Sequence, residues 1–311
     1  MARIFTTISM IEHIDFSLTN TTESLRIFHG RGHAYPGLEH VCIDWLPPVA
    51  LITLYKEESI SWLNDLANSL KANIEGCTTV KAQLRHLPKA PYQLLLGDDV
   101  EHLIATEHGL KYHLQLGNNQ NSGIFLDMRN GRKWVKENSQ NKNVLNLFAY
   151  TCAFSVAAIA GNANKVVNID ISKAPLAKGR DNHKLNKHDL SKIKFEGVDI
   201  FKSYGRLRKH GPYDLLIADP PSFQKGSVDI KRDYPKIIRR LPQLMTNNSL
   251  VMLCLNSPDL DEKFIHDMVA LECPSCRFET AIQPPEVYKE AMPGKGLKVL
   301  IFRYFEESCD D

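Results

Sequence analysis

The chain predicts a doubly wound α/β sheet, mostly parallel with an antiparallel edge strand, preceded by a smaller α+β domain. Three observations carry that prediction. From residue 143 onward, short apolar runs alternate with helical patterns, the order expected of a parallel sheet covered on both faces. A polar Gly/Asn-rich stretch at residues 117–121 separates this region from a first hundred residues of different pattern. The length, 311 residues, is about twice that of one ordinary domain. We therefore expect an α+β domain over residues 1–115 and a sheet domain over 116–311. A composition of 43% hydrophobic and 24% charged residues excludes disorder, collagen and a disulfide miniprotein.

Taken in order, residues 50–55 and 92–96 read as strands. Residues 57–73 read as a helix that buries Ile60, Leu63, Leu66, Ala67 and Leu70. His29-Gly30-Arg31-Gly32-His33 is a loop with a cationic tip, either a tight turn with solvated charges or a phosphate contact. Residues 143–147 form the next strand, followed by a helix over 154–160 that stops at Gly161. Residues 165–169 are a strand, and Ser172 and Pro175 suit the first turn of the helix after it. Strands follow at 193–196 and 213–218. Pro235 opens a helix carrying Ile237, Ile238, Leu241 and Leu244, and 250–255 is the next strand. Ser257-Pro258 reads as N-cap and first helical position of a helix running to Ala270. Residues 277–282 and 297–305 have only a loop between them, the pattern of an antiparallel edge hairpin.

The formal net charge is only +2, but it is unevenly spread. Residues 111–245 hold 24 basic and 11 acidic residues, and both ends of the chain are acidic. No apolar run approaches the ~18 residues of a membrane span, and no secretory signal opens the chain. Seven scattered cysteines fit a reduced, cytoplasmic protein. Cys273 and Cys276 form one C-x-x-C without the second pair a zinc site needs, so we read a turn with two thiols.

Chemistry is expected at the carboxyl ends of the strands. Asn146-Leu147-Phe148-Ala149-Tyr150-Thr151-Cys152-Ala153-Phe154-Ser155 joins a strand to a helix through small residues that let backbone amides approach a ligand. Asp170 ends the next strand, where a carboxylate can accept from both ribose hydroxyls of an adenosine. Asp199 ends the third, suited to an adenine amino group. The fourth ends in Asp219-Pro220-Pro221-Ser222-Phe223, a rigid turn with an aromatic placed to stack on a flipped base. Any one aspartate is an ordinary turn residue; three at successive strand ends form a pattern.

These residues resemble the class I S-adenosylmethionine-dependent methyltransferases, and more narrowly the bacterial large-subunit ribosomal RNA enzymes that modify guanine N7 or cytosine C5. Asn121-Ser122-Gly123-Ile124-Phe125-Leu126-Asp127-Met128-Arg129 resembles a G-x-F-L-D-x-R element of that family. The likeness covers roughly residues 105–305 and implies a Rossmann-like domain holding S-adenosyl-L-methionine. The implied cofactor residues are Phe125, Asp127, Arg129, Asn146, Phe148, Ala149, Tyr150, Thr151, Asp170, Ile171, Asp199, Ile200, Asp219 and Pro220. Asp219, Phe223 and Asn256 are the implied base-positioning, catalytic set.

Two departures from the family pattern bear on the chemistry. Its first motif commonly reads T-G-G-F, where this chain has Thr151-Cys152-Ala153-Phe154; Cys152 is either beside the cofactor or a small buried residue. Cytosine C5 must be activated by a thiolate adding at C6, and the family's cysteine position falls on Asn256 here. Guanine N7 has its own in-plane lone pair and needs chiefly orientation. The target expected is therefore guanine N7 in RNA, with the C5 route through Cys254 as the alternative. The basic residues Lys192, Lys194, Lys202, Arg206, Arg208, Lys209, Lys225, Lys231, Arg232, Lys236, Arg239 and Arg240 would then face RNA phosphates. A nicotinamide dehydrogenase would share the sheet but should carry G-x-G-x-x-G, which is absent. A protein or small-molecule methyltransferase would need no basic face, and a non-catalytic RNA-binding module would keep that face without cofactor affinity.

Overall fold

The computed structural model describes residues 10–117, 120–221 and 228–306. It divides into two compact units, one of residues 1–127 with 285–293, the other of 128–284 with 294–311. The division thus falls about twelve residues beyond the expected junction at 115, and the first unit includes a segment from near the chain's end that no local pattern announced. The expected linker at 117–121 lies partly outside the described residues.

The first unit holds a five-stranded sheet in sequence order: β1 (Leu25–His29), β2 (Val41–Leu46), β3 (Val49–Leu54), β4 (Thr79–Leu84) and β5 (Tyr92–Leu96). Only β3 and β4 are parallel, and α1 (Ile60–Asn73) makes the crossover between them. Ser59 caps α1 by accepting from the Trp62 amide, 3.2 Å away. The helix therefore starts three residues later than predicted, and Ile60, counted there as core, is exposed. Leu63, Leu66, Ala67 and Leu70 are buried against β2, β3 and β4 as the period requires. A hairpin, β6 (His102–Glu107) and β7 (Leu110–Gln115), completes the unit. Lys81 is buried on β4, its ammonium satisfied by Asp99 at 2.6 Å and by the carbonyls of Val100 and Leu116.

The second unit opens with α2 (Arg129–Glu137) and is a seven-stranded sheet. Its strands are β8 (Asn143–Leu147), β9 (Lys165–Asp170), β10 (Ile193–Gly197), β11 (Tyr213–Ala218), β12 (Met245–Asn256), β13 (Cys276–Ala281) and β14 (Leu297–Tyr304). Their spatial order is β10-β9-β8-β11-β12-β14-β13. The first five are parallel; β14 runs antiparallel to both β12 and β13. This is the predicted doubly wound sheet with its antiparallel edge. The chain steps outward from β8 in one direction and then returns to its other side, so the switch point lies between β8 and β11.

Crossovers are α3 (Ala153–Ala160), α4 (Lys173–Leu185), α5 (Tyr204–His210), and α6 (Ile230–Ile238) with α7 (Leu241–Leu244); α8 (Glu262–Glu272) leads to the edge strands. Two helix starts differ from the sequence reading. α6 begins five residues before Pro235, because Asp229 accepts from the Arg232 amide while its own amide donates to Asp233. That reciprocal cap outweighs the missing proline N–H. α8 starts after Asp261, whose side chain accepts from Phe264; Ser257 instead closes a turn by accepting from the Asp259 amide. Among the described residues, no helix is long and apolar enough to cross a membrane.

Candidate functional site

Parallel pairing brings four strand ends to one edge of the sheet. Leu147 pairs with both Ile169 and Ala218, and Ala218 pairs with Leu253. Phe148, Asp170, Asp219 and Cys254 are the next residues in the same row. Asn256 lies two further on, exposed, at the end of β12.

The loop from β8 to α3 is shaped by alternate left-handed residues: Phe148 (φ 57°), Tyr150 (φ 46°) and Cys152 (φ 60°). Each such residue without glycine costs roughly 1–2 kcal/mol and persists only where neighbours hold it. Here they do. The Ala149 amide donates to the Ile169 carbonyl at 3.0 Å, the Tyr150 amide to Asp170 Oδ2 at 2.9 Å, and the Cys152 amide to the Ala149 carbonyl at 2.7 Å. Asp170 Oδ1 accepts the Ser172 amide at 2.8 Å. Asp170 thus ties the loop to its own strand end. Ala149 and Thr151 are buried, while Phe148 and Tyr150 are half-buried.

Cys152 is fully buried, the second of the two readings above. Its Sγ occupies the place a Cβ on Gly179 would take, 2.3 Å from that ideal position. Burial, helped by the Asp170 charge, raises its thiol pKa, so it stays protonated. The close approach of α4 through Gly179 is what lets a cysteine stand where the family has glycine.

Asn146 is also inside the sheet, and its side chain does not reach the loop. It donates to Asn168 Oδ1 at 2.9 Å, and Asn168 donates to Ser155 Oγ at 3.0 Å. Ser155 meets His183 Nε2 at 2.9 Å, and His183 Nδ1 meets His188 Nδ1 at 2.9 Å. Sequence reading missed this polar chain beneath the loop, because its members lie on four separate elements.

Ile171, the residue after Asp170, is 69% exposed, an apolar side chain that folding alone does not use. Asp199 caps a short 3-10 turn, accepting from the Phe201 amide at 2.8 Å with Lys202 at 3.8 Å; Ile200 is buried in the core beneath. At the β11 end, Asp219 is half-buried and Pro220 buried. Tyr234 on α6 is buried, and its hydroxyl lies 3.0 Å from the carbonyls of both Ala218 and Cys254, pinning β11 to β12 just before the site. Cys254 itself is 0% exposed. Phe223 and Lys225 lie outside the described residues.

Phe125 and Asp127 belong to the first unit, where Phe125 is 45% exposed, and the Tyr288 pKa is raised by desolvation first and by the Asp127 charge in addition. Arg129 begins α2 in the second unit, half-buried.

The strand-end donors fit the ligand implied by the sequence. Each Asp170 oxygen takes one amide and has a lone pair left for a ribose hydroxyl.

Comparisons with known proteins agree with this architecture. A family model described as S-adenosylmethionine-dependent methyltransferase matches residues 25–303. Ribosomal RNA large subunit methyltransferase I of Erwinia tasmaniensis is 35% identical over 265 residues, 81% of this chain and 66% of that one. The protein of that name from Escherichia coli is 33% identical over 226 residues, 70% of this chain and 54% of its own. The chain therefore spans about half to two thirds of the length of these relatives. Among solved structures, a Streptococcus mutans chain assigned as a SAM-dependent methyltransferase superposes with a TM-score of 0.86 at 22% identity, covering 97% of this chain and 83% of that chain. The tRNA m1G37 methyltransferase of M. jannaschii gives 0.62 at 17% identity, covering 85% and 72%. The two structural likenesses are likenesses of fold. The family match spans nearly the whole chain and both of its units: this protein belongs to the S-adenosylmethionine-dependent methyltransferases.

Proposed function

We propose that the chain methylates a base of large-subunit ribosomal RNA, at guanine N7 in preference to cytosine C5. The related enzymes carry ribosomal RNA in their names, and residues 111–245 supply a basic surface suited to RNA phosphates. The observation that carries the choice of atom is Cys254. A C5 enzyme needs a thiolate at the base, and the thiol nearest the β12 end, Cys254, is fully buried two residues before Asn256. All six cysteines among the described residues are buried.

When bound, S-adenosylmethionine supplies an electrophilic methyl group that an in-plane nitrogen lone pair can take directly. The protein's part is placement. Asp170 and Asp199 would hold the ribose and adenine ends. Ile171 and Ile200, with Phe148, Ala149, Tyr150 and Thr151, would form the walls, Asn146 holding the loop from below. Phe125, Asp127 and Arg129 would add the family's further wall. Asp219, with the Pro220 backbone, would face the reacting centre and balance positive charge there. Asn256, exposed and able both to donate and to accept, would read the base edge, with Phe223 stacking on its face.

Mass spectrometry of ribosomal RNA nucleosides from a strain lacking the gene tests this reading. Loss of one 7-methylguanosine, restored by the purified protein and S-adenosylmethionine, is the expected result. Loss of a 5-methylcytidine instead, with activity abolished by Cys254→Ala and a covalent RNA adduct trapped in the parent, overturns the choice of N7.

A further inference from the structure

We propose that Arg31, Tyr55 and Arg85, all in the first unit, form a phosphate site for a single-stranded RNA segment outside the catalytic strand ends. The inference rests on the RNA reading above and gives the cationic loop at residues 29–33 a use.

The loop is built so that only its arginine stands out. A Cβ on Gly30 would lie 1.8 Å from the Leu38 carbonyl oxygen, and one on Gly32 would lie 1.8 Å from that of Lys289. The turn is pressed flat against both, and exposed Arg31 projects from it. Behind it, Arg26 is held by both oxygens of Asp44, at 2.7 and 3.1 Å, and donates to His29 Nδ1 at 2.9 Å. The buried Asp44 carboxylate is thus committed to another arginine.

The other two residues are set side by side by strand register. Leu54 pairs with Leu84 across the parallel β3 and β4, and Tyr55 and Arg85 follow them, the Arg85 amide donating to the Leu54 carbonyl at 2.8 Å. The Arg31 guanidinium carbon lies 3.9 Å from the Tyr55 ring centre, and that of Arg85 lies 5.6 Å from the same ring. Neither arginine pairs with a carboxylate among the described residues; the Arg85 guanidinium donates to the Gln120 carbonyl, at 3.2 Å. The nearby Glu58 is occupied by His40 at 2.7 Å. Exposed Lys56 and Lys89 flank the group in sequence. This local excess stands against a background of 8 basic and 13 acidic residues over positions 1–110.

Two like charges on one ring, without a counter-carboxylate, leave two planar N–H forks that match phosphate oxygens. A guanidinium already stacked on an aromatic also offers its outer face to a base, the mixture single strands use. A duplex would present no free base to that face.

The test uses the full chain, a short fluorescent single-stranded RNA in anisotropy titrations over a salt series, and S-adenosylmethionine calorimetry in parallel. R31Q/R85Q should weaken RNA binding about tenfold and reduce the slope of log affinity against log salt by about 1.4, near 0.7 for each single-strand phosphate no longer neutralised. Cofactor affinity should be unchanged, which also reports a folded protein. R31K/R85K should recover the salt slope and only part of the affinity. Unchanged RNA affinity and slope in R31Q/R85Q overturns this site while leaving the methyltransferase reading standing. A parent that binds cofactor but no RNA overturns the RNA reading and this site together. If polyglutamate binds the patch and RNA does not, the partner is an acidic protein and the inference fails.

Discussion

Asp170 ties the loop to its strand end, and its proposed second role, holding the ribose, can be tested by substitution. Asp170→Asn keeps an oxygen for only one of the Tyr150 and Ser172 amides, sets its NH2 against the other, and removes the charge that would hold ribose hydroxyls. A hydrogen bond to a charged group is worth about 1.5–3 kcal/mol, so cofactor affinity should fall by roughly 10- to 100-fold in calorimetry, and the amide left facing the new NH2 should cost about 1–3 kcal/mol in unfolding. Equal affinity would remove Asp170 from the cofactor assignment. Cys152 and Gly179 make a second residue-scale case. Gly179→Ala forces a methyl into the Cys152 sulfur and should cost about 1–3 kcal/mol in denaturant unfolding. Combined with Cys152→Gly, most of that cost should disappear, because the two sites share one space. Additive losses would mean that α4 shifts instead. Neither residue announced this pairing in sequence, where a cysteine in the first motif and a mid-helix glycine 27 positions later look unrelated.

At the scale of elements, the site stands on two buried polar devices. The first is Tyr234, which sets the β11 end against the β12 end. Tyr234→Phe leaves the packing intact and removes a donor shared by two carbonyls, so a loss of about 1–2 kcal/mol is expected in urea unfolding, with activity falling further than stability explains. The second is the chain from Asn146 to His188. Burial, and then the His188 charge, depress the His183 pKa to about 3, so His183 stays neutral in the folded protein; burial also lowers that of His188. The unfolded chain binds these protons below about pH 6.5 and the folded one does not. Stability is therefore complete above that pH and is lost as pH falls toward 3, by up to about 1.4 kcal/mol per pH unit for His183, with His188 acting in the same direction. Urea midpoints at pH 7, 6 and 5 should decline, and His183→Gln should flatten the decline; a flat parent profile would contradict the burial of these rings as neutral groups. The strands of the second unit were legible because apolar runs and successive aspartates are local signals, whereas their spatial order and most strands of the first unit were not. Helix starts at Asp229 and Asp261 were missed where a proline looked more informative than a cap. The polar chain was missed because hydrogen bonding across elements has no period.

For the whole molecule, net charge matters less than which charges are already answered. The sequence read twelve basic residues from Lys192 to Arg240 as one RNA-facing set. In the folded unit, Lys202, Arg206, Arg232, Lys236 and Arg239 each lie within ion-pair distance of Asp199, Glu196, Asp233 or Glu272. Lys194, Arg208, Lys209 and Lys231 are exposed and have no acidic partner among the described residues, and exposed Lys192 has Asp189 near it. Exposed ion pairs are worth at most about 1 kcal/mol, yet a paired cation must give up its carboxylate before it answers a phosphate. The two groups should therefore differ in counterion release. K192Q/K194Q and R208Q/K209Q should each weaken RNA binding and reduce the salt slope by about 0.7 for each phosphate left unneutralised. R206Q/R239Q should change the slope little. Filter binding over a salt series measures all three. If the paired arginines carry the larger slope, RNA breaks those ion pairs on binding, and the RNA-facing surface centres on Arg206 and Arg239 instead of the unpaired cations.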